Sequence, residues 1–204
     1  MASKKKMQKL TFISMIVTLI SFIYKAFLSV MAMSHVLMVA ATSTLMVFIC
    51  KAIFVKNVLE TREKKKKAYL GMMLAVLIYS LIFIAFVVLK VNNIDISKKI
   101  QLEGWLAILF IAFLFVLFIL SARGLKGALE KTDIMVIGLK EMTFVSALAD
   151  LVIIEEFVSI FVLKYVEVEN MTVINGWFSL GVGVLMLVIS LIMFIRFIRY
   201  NKEK

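Results

Sequence analysis

From Leu10 to Cys50 the chain runs for 41 residues with a single formal charge, Lys25. As one straight helix rising ~1.5 Å per residue, this run would reach about 60 Å, roughly twice the hydrocarbon thickness of a bilayer. A turn must therefore divide it. With no Gly or Pro in the run, the polar candidates for that turn are Lys25, Ser29 and Ser34. Two crossings, over residues 10–27 and 30–50, also return the lysines at 4–9 and the basic cluster at 62–67 to one side, as retention of positive charge in the cytoplasm requires.

The remaining runs repeat the pattern. Ala68 to Leu89 gives 22 uncharged residues and Trp105 to Ala122 another 18. Spans are expected over about 68–89, 105–122, 142–163 and 177–195, with basic cytoplasmic segments at 1–9, 51–67 and 196–204. In this arrangement 18 of the 24 Lys and Arg residues fall on the inner side, Lys25 being counted outside. The sequence thus predicts an all-α polytopic membrane protein: one domain, a six-transmembrane-helix bundle with both termini cytoplasmic. Uninterrupted apolar runs lack the polar alternation of a membrane barrel, and a lipid-exposed backbone must satisfy its own hydrogen bonds.

Composition agrees. The chain is 63% hydrophobic and 18% charged, against roughly 45–50% apolar and about 25% charged in soluble domains. The net charge of +11 sits beside the apolar runs and is not interleaved with exposed aromatics. It therefore points to the bilayer and its anionic lipid headgroups as partners, and away from nucleic acid. One cysteine, Cys50, excludes an internal disulfide, and one histidine, His35, excludes a site needing two imidazoles. No cofactor is expected. A lysine-rich, proline-free multi-pass chain is consistent with a bacterial plasma membrane.

The chemically loaded segment is SALADLVIIEEFVS, which sets Asp150, Glu155 and Glu156 among aliphatic residues. A central acid costs up to ~3 kcal/mol on insertion scales, and each Leu, Ile, Val or Phe returns only about 0.3–0.6. Residues 142–163 contain thirteen such residues, so three acids would roughly cancel their gain. The fifth helix should insert poorly alone and turn its acids toward protein or a wet cavity. At ~100° per residue Glu155 and Glu156 share a side while Asp150 points nearly opposite.

Depth suggests partners for each acid. His35 falls in the outer layer with Glu155 and Glu156, whereas Asp150 is level with Thr42, Ser43 and Thr44 and with Tyr79 and Ser80. Ser146 and Ser159 lie four residues from Asp150 and Glu155 and can reach them along the helix. Desolvated carboxyls can exchange protons or bind a cation; alternatively they fix helix contacts by hydrogen bonding. Segment 125–142 is mixed, and either lies along the interface or is partly inserted.

Enzyme motifs are absent. A Glu-Glu pair in a membrane helix resembles that of the CAAX-type intramembrane proteases, but Ile160 stands where their Arg is expected and the required histidines are missing. HExxH, GxSG and Walker patterns do not occur. Two readings follow. One is a small transporter moving or binding a cation or a proton-coupled solute through Asp150, Glu155 and Glu156. The other is a non-catalytic membrane subunit for substrate capture or regulation, working with a protein partner. In six-span architecture and size the chain is similar to the substrate-binding subunits of energy-coupling-factor transporters, although its first span lacks an AxxxA coupling motif.

Overall fold

The computed structural model describes residues 2–31, 35–91, 104–130, 133–163 and 171–202. These form six helices: α1 (Ala2–Met31), α2 (His35–Asn57), α3 (Arg62–Val91), α4 (Gly104–Leu129), α5 (Ile134–Leu163) and α6 (Met171–Lys202). Every helix but α5 is long and apolar enough to cross a membrane. The exception has a simple cause: Lys140, Glu141, Asp150, Glu155 and Glu156 all lie on α5.

Their location explains how α5 carries them. It is the central helix, packed against α2, α3, α4 and α6, while among the described residues the backbone of α1 closely approaches that of α2 alone and α3 also packs along α6. Only one large hydrophobic residue described on α5, Val158, is exposed. The outer helices reverse the pattern. Leu10, Ile13 and Ile20 on α1 and Ile108, Leu109 and Leu120 on α4 are 57–62% exposed. Such a surface would drive aggregation in water and suits contact with lipid tails.

The core between α3, α5 and α6 is rich in methionine. Met72, Met135, Met142, Met186 and Met193 are each at most 2% exposed, beside Tyr69, Val76 and Val145. Unbranched thioethers fill the irregular gaps left where polar groups interrupt the packing. At two glycines a neighbouring side chain packs directly onto the helix backbone. A Cβ at Gly138 would sit 2.7 Å from the Tyr69 ring, and one at Gly183 would sit 2.6 Å from Ile84 Cγ1. Gly71, by contrast, has nothing within 4 Å of its Cβ position.

The structure narrows two boundaries that the sequence leaves open. Helix α1 continues through Lys25 and Ser29 to Met31 and α2 begins at His35, so of the three polar candidates for the first turn Lys25 and Ser29 are helical. Lys25 is consequently a buried helical residue and not an outer-loop lysine. Segment 125–142 forms no separate interfacial helix: α4 extends to Leu129 and α5 starts at Ile134. Asp133 caps α5, its carboxylate accepting from Met135 N at 3.1 Å, and it also binds Lys65 at 2.8 Å. A side-chain oxygen satisfying free N–H groups is what fixes this helix start, and Ile134 to Leu139 follow it as buried residues.

Candidate functional site

Among the described residues, α1 comes within 8 Å, Cα to Cα, of neither α4 nor α5. The separation leaves a cleft with α1 and α2 on one side and α4 and α5 on the other. Lys25 spans it. Its Nζ donates to Asp150 Oδ1 at 2.6 Å and to Thr44 Oγ1 at 3.1 Å, with side-chain exposures of 3% for Lys25 and 6% for Asp150. The pair survives burial because each charge neutralises the other and Thr44 satisfies a second ammonium proton.

Below the pair, toward the end of the bundle carrying the basic clusters, the cleft continues as two adjoining compartments. The first, about 220 Å³, reaches from Lys25 and Asp150 past Thr18, Ser21 and Ser121 to Lys51. The second, about 330 Å³, extends from Lys51 to Lys140 and Met7. Ser14, Lys51 and Thr143 line both. Lys51 is itself buried, and its Nζ donates to Ser14 Oγ at 2.8 Å, to the Ser14 carbonyl at 3.2 Å and to Thr18 Oγ1 at 2.5 Å.

This wall follows from spacing that the sequence already contains. On α1 the polar residues Thr11, Ser14, Thr18, Ser21 and Lys25 recur at intervals of three and four, and on α5 Lys140, Thr143, Ser146 and Asp150 do the same. Each set is therefore one stripe along a helix. Sequence reasoning overlooked both stripes by treating Lys25 as a turn and small hydroxyl residues as neutral.

The acids proposed from sequence do not form one site. Asp150 faces α1 and α2. Glu155 belongs to a separate group in which Ser159 Oγ lies 3.0 Å from Glu155 Oε1 and 3.1 Å from Asn175 Oδ1 on α6. Glu156 is half-buried. Ser159 thus reaches Glu155 along the helix, whereas Ser146 does not bond Asp150 and instead lies 3.1 Å from Ser43 across to α2. Of the three hydroxyls at that level, Thr44 joins the ion pair, Ser43 meets Ser146, and Thr42 is exposed and bonds the Met38 carbonyl of its own helix. Tyr79 is buried beside this layer, with its hydroxyl donating to the Val39 carbonyl at 3.3 Å. His35 begins α2, and its side chain lies outside the described residues.

A second polar cluster, also missed in the sequence, lies near the basic end. Arg196 of α6 pairs with buried Glu141, and the Tyr69 hydroxyl lies 3.2 Å from Glu141 Oε2 and 3.3 Å from the Met193 carbonyl. It joins α3, α5 and α6 and lines neither compartment of the cleft, which fits a structural clamp. The neighbouring basic segment is partly committed to the protein: Arg62 donates to the Tyr200 carbonyl at 2.9 Å, and Lys66 bonds Asn201. Among the described residues no three His, Cys, Asp or Glu side chains gather as a metal site. Comparison with protein-family models, curated proteins and solved structures finds no match to this chain.

Proposed function

We propose that the protein is a six-span membrane transporter, with both termini in the cytoplasm, that binds a small solute in the α1/α2–α4/α5 cleft and couples its movement to protonation of Asp150. The observation that carries this reading is the Lys25–Asp150 pair at the inner end of a hydroxyl-lined cavity, bridging two helices that otherwise stand apart. A pair between well-packed helices would fix structure. One that spans an open cavity is a latch whose two sides can separate.

The chemistry follows from charge balance. With Asp150 ionised, Lys25 is neutralised and the helices are held together. A proton on Asp150 removes the attraction and leaves the Lys25 ammonium with Thr44 and room for a polar group of the solute. The titratable groups facing Asp150 are Lys25 from α1 and Tyr79 from α3, while Lys51 lies on α2 about 10 Å along that helix from Thr44. Because Lys25 already occupies Asp150, a bare metal cation is a poorer fit than a neutral or anionic solute travelling with a proton.

Flux in proteoliposomes tests this reading. Wild-type protein should give solute-dependent proton movement across an imposed pH gradient. Asp150→Asn should abolish the coupling, while Glu155→Gln and Glu156→Gln should retain it. Equal loss in all three variants, or none in Asp150→Asn, would reject Asp150 as the coupling group. Binding without flux in the wild-type protein would instead favour a substrate-capture subunit, which would require a partner for movement.

A further inference from the structure

Three lysines and one carboxylate line the cleft: Lys25 and Asp150 at its inner end, Lys51 in the middle and Lys140 toward the basic end. Asp150 is taken by Lys25. Lys51 bonds only neutral oxygens, those of Ser14 and Thr18, and no carboxylate stands within ion-pair distance of it among the described residues. A buried cation without a counter-charge is costly, yet here one is placed on the shared wall of two compartments with a second lysine beside it. Lys140 lies along Gly124 of α4, where its Nζ is 3.4 Å from the position a Cβ would take.

The cleft also has an apolar edge. Among the described residues α1 and α4 have no Cα atoms within 8 Å of each other, and the first compartment between them is edged by Leu117 and by Val17 and Phe113, both more than half exposed on the apolar surface. Cationic groups inside and hydrocarbon at the rim are matched by a molecule with an anionic head and an apolar tail.

We infer that Lys51 and Lys140 form a binding subsite for a phosphate-type anionic headgroup, with hydroxyls of Ser14, Thr18 and Thr143 around it and the α1–α4 gap admitting an attached acyl chain. This deepens the solute-binding reading above by assigning the charge class of the ligand, and it places that charge away from the Lys25–Asp150 latch. The same chemistry would accept free inorganic phosphate, so the experiment must separate the two sources.

The test is thermal stability of the full chain in neutral detergent, titrated separately with inorganic phosphate, short-chain phosphatidylglycerol and short-chain phosphatidylcholine. A ligand that binds only the folded state raises the melting temperature in proportion to the logarithm of its saturation. A lipid headgroup predicts stabilisation by phosphatidylglycerol at concentrations at least tenfold below those needed for phosphatidylcholine, with inorganic phosphate weaker. A free solute predicts stabilisation by inorganic phosphate equal to or greater than that by phosphatidylglycerol. In either case Lys51→Met should shift the effective concentration at least tenfold, and Lys56→Gln, an exposed lysine on the same helix, should not. Indifference of the wild-type protein to both anions overturns the inference even if no variant folds, and so does an unchanged titration in Lys51→Met. Because binding is read without flux, Asp150→Asn should still respond to the anion. Loss of coupling in that variant and loss of anion binding in Lys51→Met are thus separate outcomes.

Discussion

Lys25 on α1 and Asp150 on α5 meet at 2.6 Å although the backbones of their helices stay more than 8 Å apart. The long lysine side chain makes that geometry possible, placing its ammonium across a gap that no short residue could span. Among the described residues, helix α1 otherwise packs on α2 alone. The pair is therefore both the electrostatic centre of the cleft and a direct link between the outermost helix and the central one.

Glycine substitutions should separate close packing from open surface. Gly138→Ala and Gly183→Ala would press a methyl group into the Tyr69 ring and Ile84, and each should cost ~1–3 kcal/mol through overpacking. Gly71→Ala meets nothing within 4 Å and should be neutral or stabilising by up to ~1 kcal/mol from helix propensity. Melting temperatures in one detergent should rank Gly71→Ala above wild type or equal to it, with the other two below.

The clamp near the basic end gives a graded expectation. Tyr69→Phe removes one hydroxyl from Glu141 and the Met193 carbonyl and should cost ~0.5–1.5 kcal/mol. Arg196→Met leaves the buried Glu141 carboxylate without its ion partner and should cost ~3–5 kcal/mol. Unfolding measured by denaturant in mixed micelles checks the order. Tyr69→Phe should leave solute binding unchanged, since the clamp lines neither cleft compartment.

Cys50 offers a native-state probe. It is the single cysteine, 2% exposed and packed in the core with Val47 and Phe54. Buried thiols in apolar surroundings are inert, so maleimide labelling of the folded protein should be at least tenfold slower than in denaturant. Rapid labelling without denaturant would mean that α2 does not pack as described.

Much of the helical framework was legible because apolar length is a strong signal, and residues 68–89 illustrate it: 22 uncharged residues leave few structures other than a lipid-facing helix. The need for protein around the acids of α5 could also be read, since the insertion cost of Asp150, Glu155 and Glu156 together roughly cancels what the aliphatic residues return. The identity of its partner could not. Lys25 is 125 residues away, and a lone lysine in a 41-residue run satisfies the expectation for a turn as readily as that for a buried cation. The stripes on α1 and α5 were present as spacing, but their meaning depends on which helices face each other. The divergence of Asp150 from Glu155 was legible, since their directions on a helix differ by about 140°.

The most direct measurement is a double-mutant cycle on Lys25→Met and Asp150→Leu, read as unfolding free energy in mixed micelles. If the two groups form the buried pair, each single variant strands a charge and loses ~3–5 kcal/mol, while the double variant recovers most of the loss, giving a coupling of at least ~2 kcal/mol. Losses that simply add to within ~0.5 kcal/mol would show that Lys25 and Asp150 do not meet, and the cleft built around them would have no basis.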